Sequence, residues 1–177
     1  MTYVAFLRAV NLGKRRVGMA HLVELASDLG CRDVWTFVNS GNVVFQATGI
    51  GAELEQALER ALEQDFGFEV TTFVRTAAEV RRTLDLEPFQ LAPGDTYFVT
   101  FLKDRLPTAK ATALEALSND FDTLVVDGRD VHWQMHGTSI DTKLKTKDWA
   151  DVVGHHRSTS RNMNMLRRLM GKLDARR

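Results

Sequence analysis

The chain has 177 residues, enough for one compact unit or two small fused ones, and its 44% hydrophobic and 26% charged content is that of an ordinary globular protein. Its formal net charge is zero, which argues against a general nucleic-acid-coating protein. The single cysteine, Cys31, excludes an internal disulfide and any cysteine-based zinc site.

The charge is unevenly spread. Residues 1–18 carry Arg8, Lys14, Arg15 and Arg16 with no acid, and the stretch from Lys143 onward is also basic, while the middle is acidic. Such asymmetry marks an anion-binding face if the two basic segments meet in space. No charged leader followed by an apolar core opens the sequence, and no run approaches a membrane span, so a cytoplasmic protein without a membrane partner is expected.

Tyr3 to Val10 is almost continuously apolar and reads as a central strand covered on both faces. A basic, glycine-containing loop, Asn11 to Gly18, follows. Met19 to Leu29 places Met19, Leu22, Val23, Ala26 and Leu29 on one helical stripe, stopped by Gly30. Val34 to Phe45 reads as an antiparallel hairpin around Ser40-Gly41, with Gly41 at positive φ and a polar tip of Asn39, Ser40 and Asn42. Gly51 to Phe66 is the clearest helix: Leu54, Leu58 and Leu62 face inward, and Glu55, Glu59, Arg60 and Glu63 outward. Glu69 to Arg75 is a fourth strand. Thr76-Ala77-Ala78-Glu79 is a capping box opening a helix with Val80 and Leu84 on its apolar face.

Leu91-Ala92-Pro93-Gly94 reads as a joint, after which the order repeats. Asp95 to Lys103 is a strand, and Pro107 to Leu117 a helix opened by proline. Thr123 to Val126 and Val131 to Met135 form a hairpin around Asp127-Gly128. Thr142 is expected to cap a helix carrying Leu144, Trp149, Val152 and Val153; His155 to Ser160 is a short polar strand, and Asn162 to Leu173 a final helix. Both halves, residues 1–90 and 91–177, therefore read β-α-β-β-α-β-α. That is an α+β architecture of two ferredoxin-like βαββαβ(α) halves packed together.

The ordered motifs resemble a known family. They are Tyr3-Val4-Ala5-Phe6-Leu7-Arg8-Ala9-Val10-Asn11, the Met19-Ala20-x-Leu22 helix start, Ser40-Gly41-Asn42-Val43-Val44-Phe45, Phe66-Gly67-Phe68 with Val74-Arg75-Thr76, Val99-Thr100-Phe101-Leu102, Lys143-Leu144, and Thr159-x-Arg161-Asn162-x-Asn164. In this order they resemble the bacterial domain-of-unknown-function family 1697 over essentially the whole chain. The resemblance implies two ferredoxin-like α+β halves and no established reaction. The sequence departs from the family pattern at Ala9-Val10, where Gly-Ile is usual, at Met163 for a customary Trp, and at Met165 for a customary Thr. If that Trp stacks on a ligand, Met163 weakens the stacking, since a thioether has no π-face; if it belongs to the core, Met163 fills the space.

The candidate chemistry is anion binding. Arg8 and Asn11 end the first strand, and Gly13-Lys14-Arg15-Arg16 leads into a helix whose exposed amides suit phosphate or carboxylate oxygens. Lys143, Lys145, Arg161, Asn162 and Asn164 repeat that logic in the second half, with Arg161 as an exposed fork for an oxyanion. Neither loop has P-loop spacing. The histidines lack partners for a metal site, and Cys31 reads as an unreactive thiol, so no metal or other cofactor is expected. One RNA-binding module shares the β-α-β-β-α-β order, but its base platform would fall on Phe6 and Phe45, in strands that read as covered.

The leading expectation is a protein that binds an anionic small molecule or nucleotide-like ligand in a cleft between the halves, through Arg8, Asn11, Lys14, Asn39, Ser40, Asn42 and the Lys143/Arg161 groups. The alternatives are a nucleic-acid binder using its basic segments and a protein-interaction module without a small ligand.

Overall fold

The computed structural model describes residues 1–8, 17–38 and 41–176. They form two compact units, Met1–Arg81 and Arg82–Arg177. The first contains β1 (Thr2–Leu7), α1 (Met19–Asp28), β2 (Arg32–Thr36), β3 (Asn42–Gln46), α2 (Gly51–Phe66) and β4 (Thr72–Thr76). A helix, α3 (Ala77–Leu86), runs across the division, upstream of the Leu91 to Gly94 segment. The second contains β5 (Thr96–Leu102), α4 (Thr108–Glu115), β6 (Asp122–Asp127), β7 (Asp130–Met135), α5 (Thr146–Val153), β8 (Ser158–Asn162) and α6 (Met163–Asp174).

Each unit has one four-stranded antiparallel sheet, ordered β2-β3-β1-β4 and β6-β7-β5-β8. In both, the first and third strands lie at the centre and the second and fourth at the edges, which is the split βαβ arrangement expected from the element order.

In the first unit the alternation of β1 sorts its side chains. Tyr3, Ala5 and Leu7 join Val43, Phe45 and Val74 under Leu22, Leu25 and Ala26 of α1 and Leu58 and Leu62 of α2. Val4, Phe6, Val44 and Phe73 point to the other face and are buried too, so β1 is covered on both faces as its composition requires. The inner stripe of α1 differs from expectation at two positions. Leu25 is buried, whereas Leu29 is 42% exposed and caps the helix. Cys31 is buried, and desolvation pushes its thiol up, away from reactivity.

Glu55 corrects a second expectation. It lies inside, 5% exposed, because β4 is an edge strand whose outer N–H groups need acceptors. The Val74 N–H donates to Glu55 Oε2 at 2.7 Å and the Thr72 N–H to Glu59 Oε1 at 2.8 Å. The capping box completes the row. The Thr76 N–H donates to Glu79 Oε2 (2.7 Å), and the Glu79 N–H donates back to Thr76 Oγ1 (3.0 Å). The second unit closes edge strand β6 similarly: Leu124 N–H donates to Ser118 Oγ (3.0 Å) and Val126 N–H to Glu115 Oε1 (2.8 Å).

The second core gathers Leu102, Leu114, Leu124, Val131 and Val153, with Trp133 and Trp149 stacked beside them at 5.9 Å. Gly128 opens the β6–β7 turn at φ 62°, where a side chain would be strained. Two boundaries move. Thr142 does not cap α5, which starts at Thr146 after Lys145; its hydroxyl instead donates to Asp122 Oδ1 at 2.6 Å. The last strand is Ser158–Asn162, so His155 and His156 precede it.

Candidate functional site

The hairpin of the first unit is held by backbone bonds of its own and from β1. Phe37 N–H donates to Asn42 O (3.0 Å), and Leu7 N–H donates to Gly41 O (2.8 Å). Gly41 has φ 69°, as the turn demands. Asn42, expected to face a ligand, is instead fully buried, and its Nδ2 donates to Phe37 O at 3.0 Å. It clamps the turn. Arg8 is half-buried just after β1, where its backbone N–H donates to Thr71 O at 2.8 Å. Asn11, Lys14 and the rest of the basic loop, together with Asn39 and Ser40, lie outside the described residues. Phe6 and Phe45 have no exposed surface and offer no face to a base.

In the second unit the expected residues separate into three environments. Lys143 and Lys145 are exposed; the Lys143 N–H donates to Asp122 Oδ2 of edge strand β6 at 2.9 Å, and Lys145 immediately precedes α5. Asp122 also accepts from Thr142 Oγ1, Trp133 Nε1 and Asn119 Nδ2. Burial alone would raise its carboxyl, but these donors outweigh burial and hold it below the ordinary value. Strand β8, at the opposite edge, carries Arg161 and Asn162 three strand spacings away, about 14 Å.

Arg161 is the clearest correction. It is 9% exposed, and desolvation pushes its guanidinium down to about 10. Its Nη1 donates to Thr159 Oγ1 at 2.8 Å and to Ser160 O at 2.9 Å. In a five-residue strand, Thr159 and Arg161 alternate inward while Ser160 points out, so the guanidinium bonds its own strand.

Asn162 and Asn164 are brought together as expected. Asn162 is the N-cap of α6, and its side chain accepts the Asn164 N–H at 2.9 Å. One turn on, Arg167 Nη1 lies 3.5 Å from Asn164 Oδ1, and its Nη2 donates to Glu87 Oε1 at 2.5 Å. These three residues line a small cleft of about 100 Å³ with Leu91, Asp95, Thr96, Tyr97 and Met163.

Asp95 accepts from the Ala92 N–H (2.9 Å) and Gln134 Nε2 (2.7 Å), and pairs with His136 Nδ1 (3.2 Å). The backbone donor first, then the Gln134 amide, keep its carboxyl below the ordinary value. Tyr97 packs edge-on against Phe89 and bonds through its hydroxyl to His132 Nδ1. Burial raises the phenol and lowers the imidazole, so both are neutral at neutral pH. Met163 is 1% exposed and fills core space.

Sequence reasoning missed Arg167, Asp95 and Tyr97. Arg167 had a usable signal, since it stands three residues after Asn164 on the same helix face. Among the described residues no group of three His, Cys, Asp or Glu side chains is placed to hold a metal ion, and no helix is long and apolar enough to cross a membrane.

A family described as "Protein of unknown function (DUF1697)" matches residues 1–132. The chain belongs to the DUF1697 family. No curated protein matches it. Among solved structures, the conserved bacterial protein SP0830 from Streptococcus pneumoniae is similar, with a TM-score of 0.72 and 20% identity over 98% of each chain. That likeness establishes a shared fold across both units.

The DUF1697 match ends at His132, so it spans the first unit and the second through the first half of β7. Asn162, Met163, Asn164 and Arg167 lie beyond it. In this DUF1697 chain the helix wall of the cleft thus falls outside the matched residues, while Asp95, Thr96 and Tyr97 fall inside them.

Proposed function

We propose that this protein binds an anionic small molecule in the cleft at the start of α6. The observation that supports this reading is the meeting of Asn162, Asn164 and Arg167 around one cavity. Amide and guanidinium donors there add to the positive end of a twelve-residue helix, an arrangement that favours anions. A volume of about 100 Å³ is well below the few hundred that a drug-sized molecule occupies. The cleft therefore takes a small anion, or the charged group of a larger molecule whose remainder stays outside. The repeated element order supports an origin of the two halves by internal duplication.

The test is a thermal and calorimetric titration with inorganic phosphate, acetate and a nucleoside monophosphate. A ligand at 100 times its Kd stabilises by about 2.7 kcal/mol. Arg167→Ala and Asn164→Ala should remove most of that gain, and Lys143→Ala at the far sheet edge should keep it. Equal loss in all three means diffuse charge attraction, and no gain with any anion rejects the reading.

A further inference from the structure

The guanidinium that lines the cleft already holds a carboxylate. Arg167 donates to Glu87, which immediately follows α3 with a left-handed backbone, φ 37°, that is uncommon for a non-glycine residue. Both side chains remain open to solvent, 43% for Arg167 and 60% for Glu87, so a second carboxylate can reach the same guanidinium. Asp95, held ionised by its own donors, also lines the cavity and penalises a doubly charged ligand more than a singly charged one.

We propose that Glu87 is an internal stand-in for the ligand: its carboxylate occupies the anion position on Arg167, and a small carboxylate-bearing molecule enters by displacing it. This rests on the anion-binding reading of the cleft and adds the ligand's class and a built-in competitor. The competition is weak by design of its surroundings. A solvent-exposed ion pair contributes little, so the ligand needs only modest extra contacts, from Asn162 and Asn164, to win the exchange. The same exposure sets the scale of the effect: removing the Glu87 charge should tighten carboxylate binding about two- to fivefold.

The experiment titrates sodium acetate, and separately inorganic phosphate, into the full-length protein at neutral pH, following the amide resonances of Asn164 and Arg167. It compares the unmodified protein with Glu87→Gln, with Glu87→Gln/Arg167→Ala, and with Glu63→Gln, an exposed α2 position that makes the same change in net charge. Tighter acetate binding in Glu87→Gln alone, abolished by adding Arg167→Ala, supports the proposal. Acetate binding seen only in Glu87→Gln overturns it, because the ligand then does not displace Glu87. Equal affinity in the unmodified protein and Glu87→Gln overturns the proposal while leaving the anion-binding reading standing. A gain of the same size in Glu63→Gln, or one that survives Arg167→Ala, overturns it as well, as does a preference for phosphate over acetate. Absence of binding in every variant overturns both.

Discussion

Glu55→Leu tests how the first sheet ends. The carboxylate is 5% exposed and accepts the Val74 N–H at 2.7 Å, in a strand at the edge of its sheet. A hydrogen bond to a charged group is worth about 1.5–3 kcal/mol, and a buried donor left unpaired costs a similar amount. Leucine restores helix propensity and apolar contact but supplies no acceptor, so a net loss of about 1.5–3 kcal/mol is expected. Glu55→Gln keeps an oxygen in place without its charge and should lose about 1 kcal/mol. Glu53→Gln, exposed in the first turn of α2, should stay within about 0.5 kcal/mol. Urea unfolding followed at Trp35 gives the stabilities, and hydrogen exchange at the Val74 amide reports the bond itself. Loss of stability with Val74 protection unchanged relative to Val44 would refute the edge-capping argument, as would a Glu55→Leu protein as stable as the parent.

Arg161→Ala should lose about 2–3 kcal/mol in chemical denaturation, because it removes a buried guanidinium bonded to Thr159 and Ser160; a change below about 0.5 kcal/mol would return Arg161 to the surface. His132, buried and with its pKa lowered by desolvation, is protonated more readily in the unfolded chain. Its contribution is therefore complete above about pH 6.5 and is lost as pH falls below it, ahead of the acid loss expected from Asp95 and Asp122 below about pH 3.8. Melting curves across that range should show the first decline in the parent and not in His132→Gln. Gly41→Val should cost about 1–3 kcal/mol, since φ 69° strains a β-branched residue; equal melting temperatures would exclude that strain.

The parts of the fold written in local chemistry were legible in the sequence. Gly51 to Phe66 carries its helical period in leucines, Thr76 and Glu79 spell a cap within four residues, and Gly41 and Gly128 mark turns that need positive φ. What escaped depended on a partner distant in the chain. Glu55 looks like an outer-face charge until an edge strand is set beside it. Thr142 looks like a cap until Asp122, from another element, takes its hydroxyl. Arg161 could have been placed inward by the alternation of Ser158 to Asn162, but so polar a strand hides its buried side. The cleft was half legible: Asn162 and Asn164 were in view, whereas Asp95 and Tyr97 reach them only through the β5–β8 pairing.

The carboxylates on β4 also bear on the order in which the first unit assembles. Glu59 and Glu55 meet their amides across 13 and 19 residues of chain, whereas β4 pairs with β1 between residues as far apart as Tyr3 and Thr76. Closing a short loop costs less entropy than closing a long one. Helix α2 and strand β4 can therefore come together as a local pair before β1 arrives. The strand then meets the sheet with one side already occupied, and only the side that belongs to β1 remains open to pairing.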